Sequence, residues 1–201
     1  MGFPPTDEEL VAAVQGGDSS AFDELVRRWE RKIRGAVYRV VGSEEEARDV
    51  TQEAFLKAFR GLPGFKSEAR FSSWLYQIAL NLSRDKLRRR KLRDHASLDQ
   101  MEEDGHASPA LVSRAPDAHA QFQRNDLARR IAAAVAALPD DQREVIVLKE
   151  YQDLTFVEIA EVLELPVSTV KTRLYRGLTL LREQLEQQGV ASYARAGMAL
   201  L

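Results

Sequence analysis

The 201-residue sequence predicts an all-α protein: two small helical domains joined by a flexible acidic linker, the second domain containing a helix-turn-helix. Three observations predict it. Apolar residues recur at steps of three and four almost throughout, and no alternating strand pattern occurs. Capping boxes of the Ser/Thr-x-x-Glu kind open three segments: Thr6 with Glu9, Ser43 with Glu46, and Thr155 with Glu158. Between Asp94 and Ala120 the periodicity disappears, and six acidic residues and two prolines stand with a single Arg114. The expected division is 1–93, a linker 94–120, 121–188, and a C-terminal tail 189–201.

In the first domain, the box at Thr6 opens a short helix that stops at Gly16-Gly17. Asp18 is placed to cap the next helix, whose apolar stripe is Phe22, Leu25, Val26, Trp29, Ile33, Ala36, Val37 and Val40. Gly42 ends it. From Ser43 a third helix carries Ala47, Val50, Ala54, Phe55, Ala58 and Phe59, and Gly61-Leu62-Pro63-Gly64 stops it. Residues 65–71 form a polar loop with an aromatic at each end. A long helix from Ser72 then carries Trp74, Leu75, Ile78, Ala79 and Leu82 before turning basic.

In the second domain Leu127, Ile131, Val135 and Leu138 share one face. Pro139-Asp140 restarts the chain as a helix with Val145, Ile146 and Leu148. The box at Thr155 opens a short helix with Ile159, Ala160 and Leu163, and Glu164-Leu165-Pro166 is a tight turn. The last helix, from about Val167 to Gln188, turns Val170, Leu174, Leu178, Leu181 and Leu185 inward. Beyond Gly189 the tail is rich in small residues, with Tyr193, Met198, Leu200 and Leu201 available for docking.

The net charge of −2 comes from 29 basic and 31 acidic residues and is a sum of opposites. The linker carries −5, so the rest of the chain carries +3, and the cations concentrate in two places. Residues 84–93 hold seven basic side chains against Asp85, and residues 168–182 hold four with no acid. The absence of cysteine excludes disulfides, thiol nucleophiles and Cys-ligated zinc. His95, His106 and His119 all fall in the linker and read as solvated side chains, because a metal site needs rigid support around its ligands. With no phosphate loop and no dinucleotide fingerprint, an enzyme is hard to assemble. Neither cofactor nor small-molecule substrate is expected. No apolar run reaches the roughly 18–20 residues of a membrane span, and the N-terminus lacks a secretory signal, so a cytoplasmic protein without membrane insertion is expected.

Residues 155–176 carry the strongest functional signal. Two helices joined by a three-residue turn, with small Ala160 at their crossing, have helix-turn-helix form. Val170 and Leu174 point inward, which leaves Ser168, Thr169, Lys171, Thr172, Arg173, Tyr175 and Arg176 mostly on exposed faces. Such a helix enters the major groove by its N-terminal half, where hydroxyls and long cations reach base edges and phosphates. Residues 65–93 carry the second signal. Aromatics beside cations suit single-stranded nucleic acid, with bases stacked on rings and phosphates held by charge. Most of Phe71, Trp74 and Ile78 also read as core.

Together these stretches resemble the sigma-70 family of bacterial RNA polymerase specificity factors, and within it the extracytoplasmic-function (ECF) subfamily. The matching words are Ala21-Phe22-Asp23-Glu24-Leu25-Val26, the run 47–55 (Ala-Arg-Asp-Val-Thr-Gln-Glu-Ala-Phe), the run 71–81 from Phe71 to Asn81, Leu138-Pro139, Gln142-Arg143 and 166–176. The resemblance covers about residues 8–187. It implies a non-enzymatic transcription initiation factor, active in responses such as stress, that directs core RNA polymerase to promoters. Asp49, Gln52, Glu53 and Phe55 match the surface that binds the polymerase clamp helices, and the second domain would meet the polymerase flap. Phe65, Lys66, Ser67, Arg70, Phe71, Trp74, Asn81, Arg84, Lys86 and Arg88 match the loop and helix that capture melted −10 bases. The helix from Val167 matches the reader of the −35 element. The resemblance also implies an anti-sigma partner, and it places the acidic linker in the RNA exit path. One residue departs from the pattern: Glu164 stands where related turns usually carry Gly. The competing reading is an ordinary helix-turn-helix regulator with a sensing or dimerising N-terminal domain. That reading predicts tight duplex binding by the isolated chain.

Overall fold

The computed structural model describes residues 4–66, 70–98 and 118–188, in the last two segments without the side chains of 95–98 and 118–125. Among the described residues there is no strand. Four helices build the first domain: α1 (Asp7–Gln15), α2 (Ser20–Val41), α3 (Glu44–Gly61) and α4 (Phe71–Leu98), with a 3₁₀ turn at Leu62–Gly64. The second holds α5 (Ala118–Ala136), α6 (Asp140–Ile146), a five-residue π segment at Val147–Tyr151, α7 (Phe156–Leu163) and α8 (Val167–Gln187).

The start signals act much as the sequence predicts. At α1 the Glu9 amide donates to Thr6 Oγ1 at 3.2 Å and the Thr6 amide donates to Glu9 Oε2 at 2.7 Å. The box at Ser43 is only half formed. Its hydroxyl accepts the Glu46 amide at 3.4 Å, but the Glu46 carboxylate lies 3.7 Å from Arg90, drawn to the basic end of α4. Asp18 sits one residue before the cap position Ser19, and its carboxylate accepts the Ser20 amide at 3.0 Å. Gly42 ends α2 in the left-handed region at φ 80°.

The α2 stripe packs on α3 and α4. Leu25, Ile33, Val37, Leu62, Phe71, Leu75 and Leu80 are fully buried, each side chain contributing about 1.5–3 kcal/mol. Asp7 ties α1 to α2 by accepting from Arg28 Nη1 at 2.5 Å and from Trp29 Nε1 at 2.9 Å. Phe59, expected in the core, is 43% exposed, although its ring lies 5.0 Å from that of Phe22. Helix α4 begins one residue earlier than expected and runs to Leu98, past the boundary expected at 93, while α5 opens at Ala118. Residues 99–117, which hold most of the expected linker, and the tail 189–201 lie outside the described residues.

In the second domain Leu138, Ile146, Leu148, Ile159 and Val170 are fully buried. Helices α6 and α8 cross closely: a Cβ on Gly177 would stand 2.8 Å from Ile146 Cδ1 and 3.2 Å from Gln142 Cβ. The π segment, which the periodicity does not announce, widens the turn before α7 and carries Tyr151 to the Arg39 guanidinium, 4.1 Å from the ring centre. At α7 the Thr155 amide donates to Glu158 Oε2 at 2.8 Å. That bond, with the Thr155 hydroxyl and the Arg70 guanidinium, holds the Glu158 carboxyl below its usual range. A depressed carboxyl stabilises the fold above its unfolded value and loses that contribution as pH falls through the folded value. The wild type is therefore expected to lose stability below pH 4.5 more steeply than Glu158→Gln, in urea melts at stepped pH. Parallel pH profiles would refute it.

The two domains pack together, α4 against α7 and α2 against α5, α6 and the π segment. Arg143 stands at the junction, 9% exposed. Its guanidinium donates to four carbonyls: Val135 at 3.2 Å, Ala136 at 2.7 Å, Leu138 at 2.6 Å and, across the seam, Val40 at 2.9 Å.

Candidate nucleic-acid interface

The helix-turn-helix forms as α7, a three-residue turn and α8. Glu164 adopts the left-handed region at φ 55°, ψ 45°, so the turn keeps the geometry that suits glycine. An L-residue there costs roughly 1–2 kcal/mol. Its carboxylate accepts from Gln77 Nε2 at 2.7 Å, a contact that glycine could not make. On α8, Ser168, Lys171, Thr172, Tyr175 and Arg176 are exposed and Thr169 is half-buried. Tyr175 shows 60% of its surface, and Lys171 Nζ stands 5.4 Å from the Phe156 ring centre. Arg173 is half-buried. It turns back to Asp141 at 3.3 Å, within its own domain.

At the other expected interface, Phe65, Phe71 and Trp74 form one aromatic cluster. Phe65 and Trp74 lie 4.7 Å apart between centres, inclined by 33°. Trp74 rests on the Gly61 backbone, where a Cβ would stand 3.0 Å from its Cζ2. Phe71 corrects the expected set: at 1% exposure it has no face for a base, and it supports the other two rings from beneath. Lys66 is exposed, and Ser67 lies outside the described residues. Arg70 pairs with Glu158. Arg84 donates from Nε and Nη2 to the two oxygens of Glu144, each at 2.7 Å, and from Nη1 to Asn81 Oδ1 at 2.8 Å. The hydrogen bonds it donates to Glu144 raise the Arg84 guanidinium above its usual value against the opposing effect of burial. Lys86 lies 3.9 Å from Asp49, and Arg88 pairs with Asp85 at 3.0 Å.

Of the expected polymerase contacts, Asp49, Gln52 and Glu53 are exposed on α3. Phe55 is 7% exposed and packs edge-on to Phe22, so it floors the surface rather than projecting from it. The residues that do project are Leu56, 50% exposed, and Phe59. They border a groove of about 760 Å³ between α2 and α3, with Phe22, Val26 and Phe55 along it. Leu56 was legible as an apolar residue lying off the core stripe. Among the described residues no acidic or histidine cluster could hold a metal, and no helix is long and apolar enough to cross a membrane.

A recognition helix on one domain and an aromatic–cation cluster on the other define a nucleic-acid-binding factor in two parts, with an acidic and apolar face left for a protein. Family models described as "Sigma-70 region 2" and "Sigma-70, region 4" match residues 25–93 and 128–181. The chain is 36% identical over 183 residues to the RNA polymerase sigma-H factor of Pseudomonas aeruginosa, covering 90% of this chain and 94% of that one. It is 36% identical over 179 residues to the ECF RNA polymerase sigma factor SigW of Bacillus subtilis, covering 89% and 96%. Its fold is similar to that of CnrH in complex with the cytosolic domain of CnrY, with a TM-score of 0.66, 27% identity, and 90% and 97% of the two chains covered. The chain belongs to the sigma-70 family of RNA polymerase sigma factors, in its ECF group. It is a transcription initiation factor, not an enzyme, and acts with core RNA polymerase on promoter DNA.

Proposed function

We propose that residues 1–93 bind the polymerase clamp helices and trap melted −10 bases, that residues 121–188 dock on the flap and read the −35 element, and that residues 94–120 tether the two. The exposed polar face of α8 beside a buried apolar one carries this reading, because it presents Ser168, Lys171, Thr172, Tyr175 and Arg176 together. In the first domain Trp74, seated on Gly61 beside Phe65, is the stacking surface, and Arg70, Asn81, Arg84 and Arg88 are the phosphate contacts. Flipping a base costs a few kcal/mol, which stacking and charge offset. Acting with polymerase places the chain in the cytoplasm. An anti-sigma partner fits the same reading, since the sigma factor RpoE of Bartonella quintana, similar in fold, was solved in complex with the anti-sigma factor NepR.

In vitro transcription with purified core polymerase on a promoter library tests the assignment. The wild type is expected to select a −35 and a −10 sequence. Lys171→Ala with Arg176→Ala should lose selection at −35 only, and Trp74→Ala should lose opening at −10 with −35 selection kept. Failure of the wild-type chain to bind core polymerase would sink the reading.

A further inference from the structure

We propose that the crevice where α2 meets α5 and the π segment binds a fatty-acid-like anion, its head held by Arg39 and neighbouring cations and its acyl chain laid along α5. None of the expected DNA or polymerase contacts lies in this crevice.

Two cavities of opposite character adjoin there. One, of about 510 Å³, is lined by Arg31, Lys32, Arg34 and Arg39, with Glu44 as its one carboxylate among the described residues. The other, of about 470 Å³, is lined by Ile131, Ala132, Val135 and Ala136 of α5, and Arg39 is its one charged side chain among the described residues. Tyr38, Arg39 and Tyr151 line both. Each cavity falls in the size range of small-molecule sites. A cationic end thus runs into an apolar end through a single guanidinium.

The cations at this end are short of partners. Arg31 has no ion pair among the described residues, and Arg34 reaches Glu44 only at 3.9 Å. The Lys32 ammonium meets the Trp29 ring at 4.7 Å. Arg39 is half-buried, donates from Nη1 to the Gly35 carbonyl at 2.8 Å and lies over the Tyr151 ring. No carboxylate among the described residues pairs with it, although a guanidinium is shaped to grip one with two donors. The backbone on the far side leaves ordinary winding. The π segment ends at Tyr151, and Asp153 takes a left-handed φ of 55° two residues later. Departures of both kinds gather at functional sites.

A DNA phosphate would satisfy the cations and leave the apolar face of α5 in water. A bilayer could not enter a crevice with helices on both sides. An acyl anion satisfies both ends at once.

Isothermal titration calorimetry of the full chain with decanoate, kept below the concentration at which it forms micelles, is the test. One saturable site is expected, and each methylene added from hexanoate to decanoate should tighten it about two- to fourfold. Decanol, which keeps the chain and lacks the anion, should bind at least about tenfold more weakly. Arg39→Met should remove that preference, and so should Arg31→Glu with Arg34→Glu, which changes surface residues and covers the case in which Arg39→Met fails to fold. Ala132→Glu, at an exposed position, should weaken decanoate at least about tenfold by setting a carboxylate in the path of the chain. The absence of a saturable site overturns the proposal, as does equal binding of decanol and decanoate or unchanged binding by Ala132→Glu. Binding to phosphatidylglycerol vesicles without binding to decanoate also overturns it, because the cations would then serve a membrane surface.

Discussion

Arg143→Ala is expected to destabilise the chain by about 3 kcal/mol, because buried carbonyls that lose their donor cost roughly 1–3 kcal/mol each and some recover water. Four carbonyls accept from that one guanidinium, those of Val40, Val135, Ala136 and Leu138, and only that of Val135 also takes a backbone amide in the turn, from Leu138 at 3.2 Å. Three of them belong to the end of α5 and the turn after it, and one to the end of α2, where helix carbonyls run short of backbone donors. Lysine is expected to recover only a minor part, since a single ammonium cannot fan out to four acceptors. Urea denaturation reads the effect as a lower midpoint at unchanged slope. A loss below about 1 kcal/mol would show that the carbonyls find other donors.

Leu56→Glu with Phe59→Glu is expected to weaken binding to core polymerase by at least about thirtyfold, the equivalent of roughly 2 kcal/mol, the usual threshold for a dominant interface residue. Both side chains project from α3 next to Asp49, Gln52 and Glu53, and they edge the apolar groove against α2. The fold should tolerate the change, because both are exposed already. Phe55→Leu is expected to leave polymerase binding nearly unchanged, since Phe55 lies beneath that surface. Affinity measured by fluorescence anisotropy against core enzyme separates the two. Equal losses from both changes would return Phe55 to the interface.

The helices, the turn and the reading face of α8 were legible because each has a local cause: a period of 3.6, a cap, or a residue with restricted backbone. Thr6 and Thr155 closed the boxes expected of them, and Val170 and Leu174 turned inward. What the sequence did not disclose depends on partners distant in the chain. Phe71 and Phe55 are aromatic in the matching words, but residue type does not say which face a neighbour covers. Arg173 lies on an exposed arc of an ideal helix, yet Asp141 draws it inward. Glu46 has the right spacing for a box, and Arg90 competes for its carboxylate. The seam itself has no local signature. Arg70, Gln77, Arg84 and Lys91 recur at intervals of seven, a spacing that gains meaning only once Glu158, Glu164, Glu144 and Asp140 are known to face them.

The π segment at Val147–Tyr151 also acts as a phase adjuster. Such a stretch amounts to one residue too many for an α-helix, and one residue of an α-helix is about 100° of rotation. Removing a residue there would restore ordinary winding and swing Tyr151 away from Arg39. The helix-turn-helix would not be carried round with it, because Thr155 starts a new helix with its own cap. The chain thus keeps two independent settings a few residues apart: how its domains meet, and how its DNA reader folds. Insertions and deletions at this point can retune the first without rewriting the second.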